Sequence, residues 1–579
     1  MSSLDPTAAR RGVAIGSDQS GSASSSAPPP TGRTEILKRA AIALSLANLC
    51  FLFLWSEVLH IASDRRFFYM LAMGPDPLFF WALVFDVAVL AAVVFSLLLL
   101  RRSRSRPLRL LASAAIGLVC LFALYQCERS FDGALYQVIS SRSLLVVRLV
   151  LLAALVLFIL RWPRRVVPAC RTVLLILSPL FIIFVTQGLV LYHGSGAGRY
   201  APKLAAMLPV KASQGRVIWI IFDEMDYRLA FKARPTRIQL PYFDALRRVS
   251  VFADHVTSPA HDTLAAIPSL LLSKVVPINE DFDLNSRPVR VRFSGCSRYV
   301  SLRSQPNVFQ RARALGYNAA VSGWYHAYCR LFGSDLSGCA TDVGTGMALV
   351  PQQLLRHKPF FYKAGYVADW QARSLPLVQR LHWIAPMPEQ RRYARQMHMI
   401  DTEFVRKHGM AMLRNRNLTF LLLHLPIPHP PGIWDTRTQS LGMSGRLDYI
   451  DNLEFADKVL GQIRQVLRRE GEWDRSTVLV SADHPYRPDY WLRGLNVAVL
   501  SKAALSEMAR ATHMKWQPYI PFFLKMPGQK TGIEYHREFN SVLSADLLLA
   551  ALQSKIRTPA QAVQWLDAHA AASEQKVCQ

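Results

Sequence analysis

The sequence is short of acidic residues, and it lacks any motif that binds nucleic acid. Its 579 residues include 40 Asp and Glu against 68 Lys and Arg, which gives a formal net charge of +28. Such a charge can indicate a nucleic-acid partner, but it would then be accompanied by a recognisable binding motif. Basic residues that flank apolar segments instead hold loops on the cytoplasmic side of a membrane and face anionic lipid. We therefore expect a protein integral to a membrane, with no nucleic-acid partner.

Cysteine is also scarce, with eight residues in the whole chain. Cys329 and Cys339 bracket a short segment that contains Gly and Ser. This spacing would suit a loop disulfide in an oxidising compartment. Two free buried thiols are an equal alternative, because the spacing alone does not decide between them.

No cleavable signal peptide precedes the first apolar block, because that block begins too late and runs too long. Residues 1–35 are rich in Ser, Ala, Gly and Pro and have no periodic apolar face, so we predict a disordered cytoplasmic tail. A chain of this length exceeds one ordinary hydrophobic core. We expect a transmembrane domain at 36–193 and a soluble domain at 194–579.

Five apolar blocks are long enough to span a bilayer. They lie at 40–59, 78–100, 108–126, 144–160 and 173–191. The tail and the alternate connections carry fourteen Lys and Arg, whereas the remaining connections carry four. Positive charge stays inside. The N-terminus is therefore predicted to be cytoplasmic, and five crossings would place everything after Leu191 outside.

From about residue 194 onwards, short apolar runs alternate with amphipathic stretches, which is typical of a mostly parallel sheet covered by helices. Three of these runs, at 217–222, 420–423 and 477–480, are followed by possible metal ligands. These residues are Asp223, Glu224, His424, His429, Asp483 and His484. Ligands bind outside the carboxyl ends of the strands in an open α/β sheet. Because carboxylate oxygen and imidazole nitrogen suit zinc or manganese, the pattern predicts a metal site. Acidic residues that simply form turns after strands are the alternative.

A fourth segment, 257–271, places Thr263 at the predicted start of a helix. A hydroxyl at this position is usually a helix N-cap. It can also be a nucleophile, if a metal lowers its pKa and the helix N-terminus stabilises the anion.

The segments 216–224, 240–246, 263–271 and 449–484, in this order, resemble the alkaline phosphatase superfamily in its sulfatase-like branch. The spacing is similar to that of membrane-anchored phosphoethanolamine transferases and of lipoteichoic acid synthase-type phosphoglycerol transferases. Those families also carry five transmembrane helices ahead of their catalytic domain. The resemblance implies an all-α transmembrane bundle followed by an alkaline phosphatase/sulfatase-like α/β domain. It also implies a multi-pass protein of the bacterial inner membrane, with the catalytic domain on the periplasmic, extracytoplasmic side.

Carried over position by position, the resemblance makes Asp223 the first metal carboxylate and Glu224 the second acid of the pair. Asp483 and His484 match the family's Asp-His metal pair. Thr263 matches the nucleophile, which is also a metal ligand. The implied cofactor is a divalent metal, with zinc first and manganese or calcium as alternatives.

The histidines on the substrate side are carried over in the same way. His429 matches the histidine that holds the phosphate or donates a proton to the leaving group. His424 matches a second histidine that contacts substrate, and His513 is the candidate for a later one. Apart from the resemblance, the sequence has a cluster of rings after an apolar stretch, which would line the acceptor site or else pack in the core: Trp324, Tyr325, His326 and Tyr328.

Two departures from the family pattern bear on the reaction. Pro485 stands where the family has Gly after the Asp-His pair, so the following loop must differ. The stretch 263–266 lacks the Cys/Ser-x-Pro-x-Arg motif that true sulfatases convert to formylglycine. The sequence therefore argues against hydrolysis of sulfate esters by the usual route.

The reaction that the resemblance implies is transfer of a phospholipid-derived phospho-head group to an envelope glycan or lipid through a phospho-threonine intermediate. The partners would be a membrane phospholipid donor and an envelope glycan or lipid acceptor. Two rival functions remain: a phosphatase or phosphodiesterase that uses the same site, and a non-catalytic membrane scaffold.

Overall fold

The computed structural model describes most of the chain. The described residues are 32–63, 76–135, 161–193, 203–210, 215–278, 281–283, 289–342, 355, 358–373, 390–442, 448–491, 506, 510 and 518–571. The predicted tail and the fourth predicted span, 144–160, lie largely or wholly outside them. The limits proposed for the domains stay predictions.

The helices are α1 Gly32–Cys50, α2 Leu52–Ser63, α3 Pro77–Leu100, α4 Arg106–Leu135, α5 Pro163–Leu177, α6 Leu180–His193, α7 Pro241–Arg247, α8 Thr263–Leu272, α9 Val308–Ala314, α10 Tyr328–Phe332, α11 Phe360–Arg373, α12 Gln390–Arg414, α13 Tyr449–Arg469, α14 Pro488–Trp491, α15 Ser544–Leu552 and α16 Pro559–His569. The strands are β1 Val217–Asp223, β2 Val251–Thr257, β3 Phe282–Asp283, β4 Arg290–Val291, β5 Val300–Ser301, β6 Ala319–Trp324, β7 Gly338–Asp342, β8 Phe420–Pro428, β9 Trp434–Asp435, β10 Ser440–Leu441, β11 Thr477–Ala482, β12 Tyr519–Lys525, β13 Ile533–Tyr535 and β14 Phe539–Asn540.

Three helical segments among the described residues are long and apolar enough to cross a membrane: Pro77–Leu100, Arg106–Glu128 and Arg164–His193. A fourth is obtained if the pair Gly32–Cys50 and Leu52–Leu59, bent by 64°, counts as one span. The prediction of five spans is therefore supported only as three, or four with the bent pair. The first predicted block, 40–59, corresponds to this bent pair. The helix breaks at Phe51, within a stretch that was predicted as one apolar block.

Contacts between helix ends show which ends of the N-terminal helices lie together. Arg171 of α5 forms an ion pair with Glu35 of α1 at 3.2 Å. At the other end, the Tyr192 hydroxyl donates to the carbonyl of Val58 at 3.1 Å. The predicted grouping of the tail with the 161–171 connection agrees with this arrangement. Which face is cytoplasmic stays a prediction.

The soluble part is built on a nine-stranded, mostly parallel sheet in the order β13-β2-β12-β11-β1-β8-β6-β7, with β14 also paired to β2. Central β1 runs parallel to both β11 and β8. All seven of its residues are buried, which explains its uninterrupted apolar sequence. The prediction of an α/β domain with a mostly parallel sheet is confirmed.

The strand register determines where the polar residues meet. Phe222 lies opposite Ala482, so Asp223 and Asp483 follow adjacent strands at the same edge. On the other side of β1 the pairing shifts after Phe222, and Asp223 then pairs with Pro428. His429 follows directly. The carboxyl edge of three neighbouring strands therefore gathers the predicted ligands.

Helix α13 packs on this sheet through its apolar face. Its residues Leu453, Ala456, Leu460, Ile463 and Leu467 are all buried. They recur at the spacing of one helix face, which is why this segment folds as a helix against the sheet. A capping box formed by Asp448 and Asp451 starts the helix, and Gly471 follows its end at φ 71°.

Cys329 and Cys339 form a disulfide that joins α10 to β7, with their Cα atoms 5.6 Å apart. Of the two alternatives that the spacing left open, the structure has the bridge.

Candidate active site

The end of β1 supplies two carboxylates, those of Asp223 and Glu224. Glu224 has φ 62°, a conformation that is uncommon for a residue with a side chain. Two hydrogen bonds hold it: its N–H donates to Oδ1 of Asp483 at 2.9 Å, and its carbonyl accepts from the Tyr449 hydroxyl at 2.8 Å. Such strain persists only where neighbouring groups over-determine it. The loop after β1 is thus fixed by groups on β11 and α13.

Thr263 is the first residue of α8, and its hydroxyl does not cap the helix. The N-cap position belongs to Asp262, which has extended backbone. The Thr263 Oγ1 atom lies 3.1 Å from Nε2 of His484 and donates to Asp223, at 3.4 and 3.5 Å from its two oxygens. Of the two interpretations left open by the sequence, the N-cap does not describe this hydroxyl. It points into the carboxylate and histidine group.

The three histidines of the site share one protonation pattern. In each, Nδ1 lies against a backbone carbonyl oxygen, at 3.0 Å for His484, 3.1 Å for His424 and 2.5 Å for His429. Because a carbonyl only accepts, Nδ1 carries the proton and Nε2 keeps its lone pair. Metal-ligating histidines are commonly oriented by such a bond from the second ring nitrogen.

These lone pairs face carboxylate oxygens. Nε2 of His484 lies 3.7 Å from Asp223 and 3.5 Å from Asp483. Nε2 of His424 lies 3.8 Å from Asp223, and that of His429 lies 3.6 Å from Glu224. Lone pairs facing lone pairs repel unless a cation or a proton lies between them.

Ligand atoms that could hold an ion together form two overlapping sets. These are Asp223, Asp483 and His484, and Asp223, Glu224 and His429. Among the described residues, Nε2 of His424 and Oδ2 of Asp483 are buried and have no hydrogen-bond partner. Buried polar atoms without partners are rare in proteins. The donor set, oxygen and imidazole nitrogen, fits a divalent metal.

The charges of the site reinforce this reading. Burial raises the pKa of Asp223 well above its usual value, and the nearby carboxylates of Asp483 and Glu224 raise it further. Burial also opposes ionisation of Glu224, but Arg487 and the neighbouring histidines outweigh burial and lower its pKa. Burial lowers the pKa of His424 to about 4.

Arg487 and Trp491 complete one side of the site, and the sequence did not single them out. The Arg487 N–H donates to Oε1 of Glu224 at 3.0 Å, and Nε1 of Trp491 donates to the same oxygen at 3.0 Å. The Arg487 guanidinium also pairs with Asp262, the residue before Thr263. A cation three residues after the Asp-His pair was the available signal for Arg487. Trp491 had none.

The aromatic group at 324–328 is buried and supports the site from behind. The Tyr328 hydroxyl oxygen accepts from Nδ1 of His424 at 2.8 Å, and Nε2 of His326 donates to the Thr263 carbonyl at 2.9 Å. Burial lowers the pKa of His326 to about 3. The core-packing alternative therefore describes the group, with the addition that its polar atoms orient Thr263 and His424.

A deeper layer from α12 lies behind His429, and sequence reasoning missed it. The His398 ring stacks on the His429 ring with centroids 6.0 Å apart. Nε1 of Trp324 donates to Asp401 at 3.3 Å. Burial and the charge of Asp342 raise the pKa of Asp401 well above its usual value. These groups hold the indole of Trp324 against His429.

The structure thus brings seven of the eight predicted site residues into one buried group. The members are Asp223, Glu224, Thr263, His424, His429, Asp483 and His484. The eighth, His513, lies outside the described residues. The catalytic roles assigned to them stay predictions.

A model of the sulfatase family matches residues 216–553, more than half of the chain and all seven of these residues. No curated protein sequence matches the chain significantly.

Three solved structures are similar to the chain at low identity. The lipoteichoic acid synthase LtaP from Listeria monocytogenes is 15% identical with a TM-score of 0.35, covering 60% of this chain and 75% of that one. An alkaline phosphatase superfamily protein from Vibrio parahaemolyticus is 11% identical with a TM-score of 0.34, covering 62% and 71%. A phosphonate monoester hydrolase of Agrobacterium radiobacter is 13% identical with a TM-score of 0.32, covering 59% and 74%.

Proposed function

The chain belongs to the sulfatase family of the alkaline phosphatase superfamily, and from this premise we propose that it is a membrane-anchored, metal-dependent phosphotransferase. It would move a phospho-head group from a membrane phospholipid to an envelope glycan or lipid. The enzyme would be a multi-pass protein of the bacterial inner membrane with its catalytic domain outside. The apolar helices, the asymmetry of basic residues and the disulfide of the soluble part support this location.

One observation supports the proposal most strongly: the Thr263 hydroxyl lies among the carboxylates and histidines of the site. It is buried, it faces the lone pair of His484 Nε2 at 3.1 Å, and it begins a ten-residue helix. The N-terminus of a helix stabilises the negative charge of a bound phosphoryl group. Since threonine replaces the formylglycine precursor, phosphoryl rather than sulfuryl chemistry is the proposal.

A metal would be held by Asp223, Glu224, Asp483 and His484 together with the Thr263 oxygen. We propose zinc, with manganese or calcium as alternatives, from the mixed oxygen and nitrogen donors. A bound divalent cation would supply charge stabilisation for the nucleophile and for the phosphoryl oxygens.

The chain's own groups then account for the proton movements. Thr263 Oγ1 forms the new bond to phosphorus while the bond from phosphorus to the diacylglycerol oxygen breaks. The proton of the Thr263 hydroxyl leaves along its hydrogen bond to Asp223. His429 has 16% of its side chain exposed, whereas His424 and His484 have none. It is therefore the histidine that can take a proton from solvent and pass it to the leaving oxygen.

The second half of the cycle repeats the geometry with a different nucleophile. An acceptor hydroxyl attacks the phosphorus of phospho-threonine, the bond to Oγ1 breaks, and Thr263 recovers its proton. If water takes the place of the acceptor, the same site is a phosphodiesterase.

The test is intact-protein mass spectrometry of the purified enzyme after incubation with phospholipid vesicles. A phosphoethanolamine or phosphoglycerol mass added at Thr263, together with released diacylglycerol, is the expected result. Released diacylglycerol with free head-group phosphate and no acceptor would indicate the hydrolase. Absence of both the adduct and diacylglycerol release with every phospholipid class would leave the scaffold.

A further inference from the structure

Helix α11 belongs to the soluble part by its place in the sequence, but it packs on the N-terminal helices. Its Lys363 is fully buried in an ion pair with Asp76. Asp76 is also the N-cap of α3, where its side chain accepts from the Leu78 N–H at 3.0 Å. Gln371, two turns further along α11, donates to the carbonyl of Cys50 in α1. Two polar contacts therefore fix α11 to α1 and to the beginning of α3.

The topology shows which edge of the sheet α11 is connected to. Strand β7 runs parallel to β6, which runs parallel to β8, so Asp342 ends at the same edge as the site. Helix α12 leads back from there, since its Asp401 accepts from Trp324 at the end of β6. In the sequence, α11 lies between β7, which ends at this edge, and α12, which packs behind the site.

One face of α11 is aromatic and exposed. Phe361 is 75% exposed and Tyr362 is 54% exposed. The rings of Phe360 and Phe361 contact Phe85 of α3, with centroids 5.7 and 6.1 Å away. Phe85 is eight residues into α3, roughly 12 Å along the helix axis from Pro77. The aromatic residues of α11 therefore lie alongside the candidate span α3, about two turns past its first residue.

This aromatic face continues an exposed apolar stripe on α3. Trp81, Phe85 and Val89 of that stripe are 36%, 40% and 46% exposed. The cation of Lys358 lies over the Tyr362 ring at 5.3 Å, at the start of α11. Aromatic rings beside a basic residue at the end of a span are typical of the membrane interface. Because the exposed face of α11 is continuous with the exposed stripe of α3, the same medium must cover both.

We propose that α11 is an interfacial helix and that Phe361 and Tyr362 contact the lipid of the outer leaflet. The inference rests on the proposed membrane anchoring. It deepens the proposed function, because a helix that the chain joins to both β7 and α12 would keep the catalytic domain close to a lipid donor. The occupant of the aromatic face is a lipid bilayer, since the face is continuous with α3.

Photocrosslinking of the full-length protein in native membranes tests the inference. Phe361 is replaced by p-benzoylphenylalanine, and the purified protein is analysed for covalent phospholipid by mass spectrometry. Val89, exposed in the middle of α3, is the control for the span, and Tyr242, 41% exposed on α7, is the control for the soluble part. We expect phospholipid adducts at 361 and 89 and none at 242. The same replacement at Tyr362 repeats the test should the 361 variant fail to accumulate.

The outcomes distinguish a failure of the interfacial helix from a failure of the proposed membrane anchoring. An adduct at 89 without one at 361 and 362, or crosslinks from these positions to another protein chain, would overturn the interfacial helix and leave the anchoring intact. Absence of lipid at 89 would remove the membrane anchoring itself and the inference with it.

Discussion

Replacing Thr263 by Ala separates the nucleophile from every structural use of this residue. Asp262 holds the N-cap position, so Ala removes no helix cap. The hydroxyl contacts Asp223 at 3.4 and 3.5 Å and Nε2 of His484 at 3.1 Å, so its loss should cost about 1 kcal/mol of folding free energy. Turnover should behave differently. Without Oγ1 no phospho-enzyme forms, and the rate should fall by about three orders of magnitude or more, equivalent to about 4 kcal/mol of barrier.

The assay follows diacylglycerol release from phospholipid vesicles and the melting temperature of the same purified variants. Thr419→Ala is the matched control. Thr419 is buried, its hydroxyl accepts the Asn318 N–H at 2.9 Å, and it precedes β8 at the edge opposite the site. This control should lose about 1–2 kcal/mol of stability and keep near-normal turnover. Thr263→Ala should show the reverse pattern.

Thr263→Ser completes the comparison, because it keeps a hydroxyl and removes one methyl group. It should retain partial turnover and still acquire the head-group mass, now on Ser. A Thr263→Ala protein that turns over substrate near the wild-type rate would refute the nucleophile assignment. So would a Thr263→Ala protein that melts far below Thr419→Ala, because its lost activity would then reflect unfolding.

Three further predictions follow from the structure. Asp483→Ala and His484→Ala should each lose bound metal in elemental analysis while staying membrane-inserted, and wild-type metal content in both would misplace the site. Burial raises the pKa of Asp457 to about 7. The contribution of Asp457 to the free energy of unfolding is therefore fully present below about pH 4 and is lost as pH rises through 7. In melting experiments, the Asp457→Asn protein should become more stable than the wild type by up to about 4 kcal/mol at pH 8. An unchanged difference across pH would contradict this. A reporter fused after Gln579 should be active only outside the cytoplasm, and cytoplasmic activity would reverse the topology.

Much of the soluble fold could be predicted because its central strands are buried on both faces. Such strands appear as continuous apolar runs, and β1, β8 and β11 were each found in this way. The antiparallel strands β2 and β12 were not found, since nothing in a single run shows which neighbour it pairs with.

The N-terminal part was predicted less well, because hydropathy alone does not show where a helix bends. The bend at Phe51 has no Pro or Gly to mark it. The position of α11 against the N-terminal helices was equally hard to predict. Lys363 and Asp76 are 287 residues apart, and only the folded chain shows that their charges meet.

For the site, the sequence supplied the ligand types and the topology supplied their convergence, since carboxyl ends of parallel strands meet at one edge. The sequence alone could not show which nitrogen of each histidine carries the proton. Which nitrogen of His424 faces the carboxylates depends on the Trp324 carbonyl, one hundred residues away. Arg487 and Trp491 depend on the course of the loop after Pro485, which departs from the family pattern.

The surroundings of His429 bear on the choice between transfer and hydrolysis. Its ring lies between the indoles of Trp324 and Trp491, with centroids 5.1 and 5.0 Å away, and His398 stacks behind it. Two indole rings and one imidazole ring thus surround His429, and 16% of its side chain is exposed. In the proposed mechanism, an acceptor that covers this exposed part would bring its own hydroxyl to phosphorus and exclude water in the same movement. The enclosure of His429 therefore supports the proposal of transfer over hydrolysis.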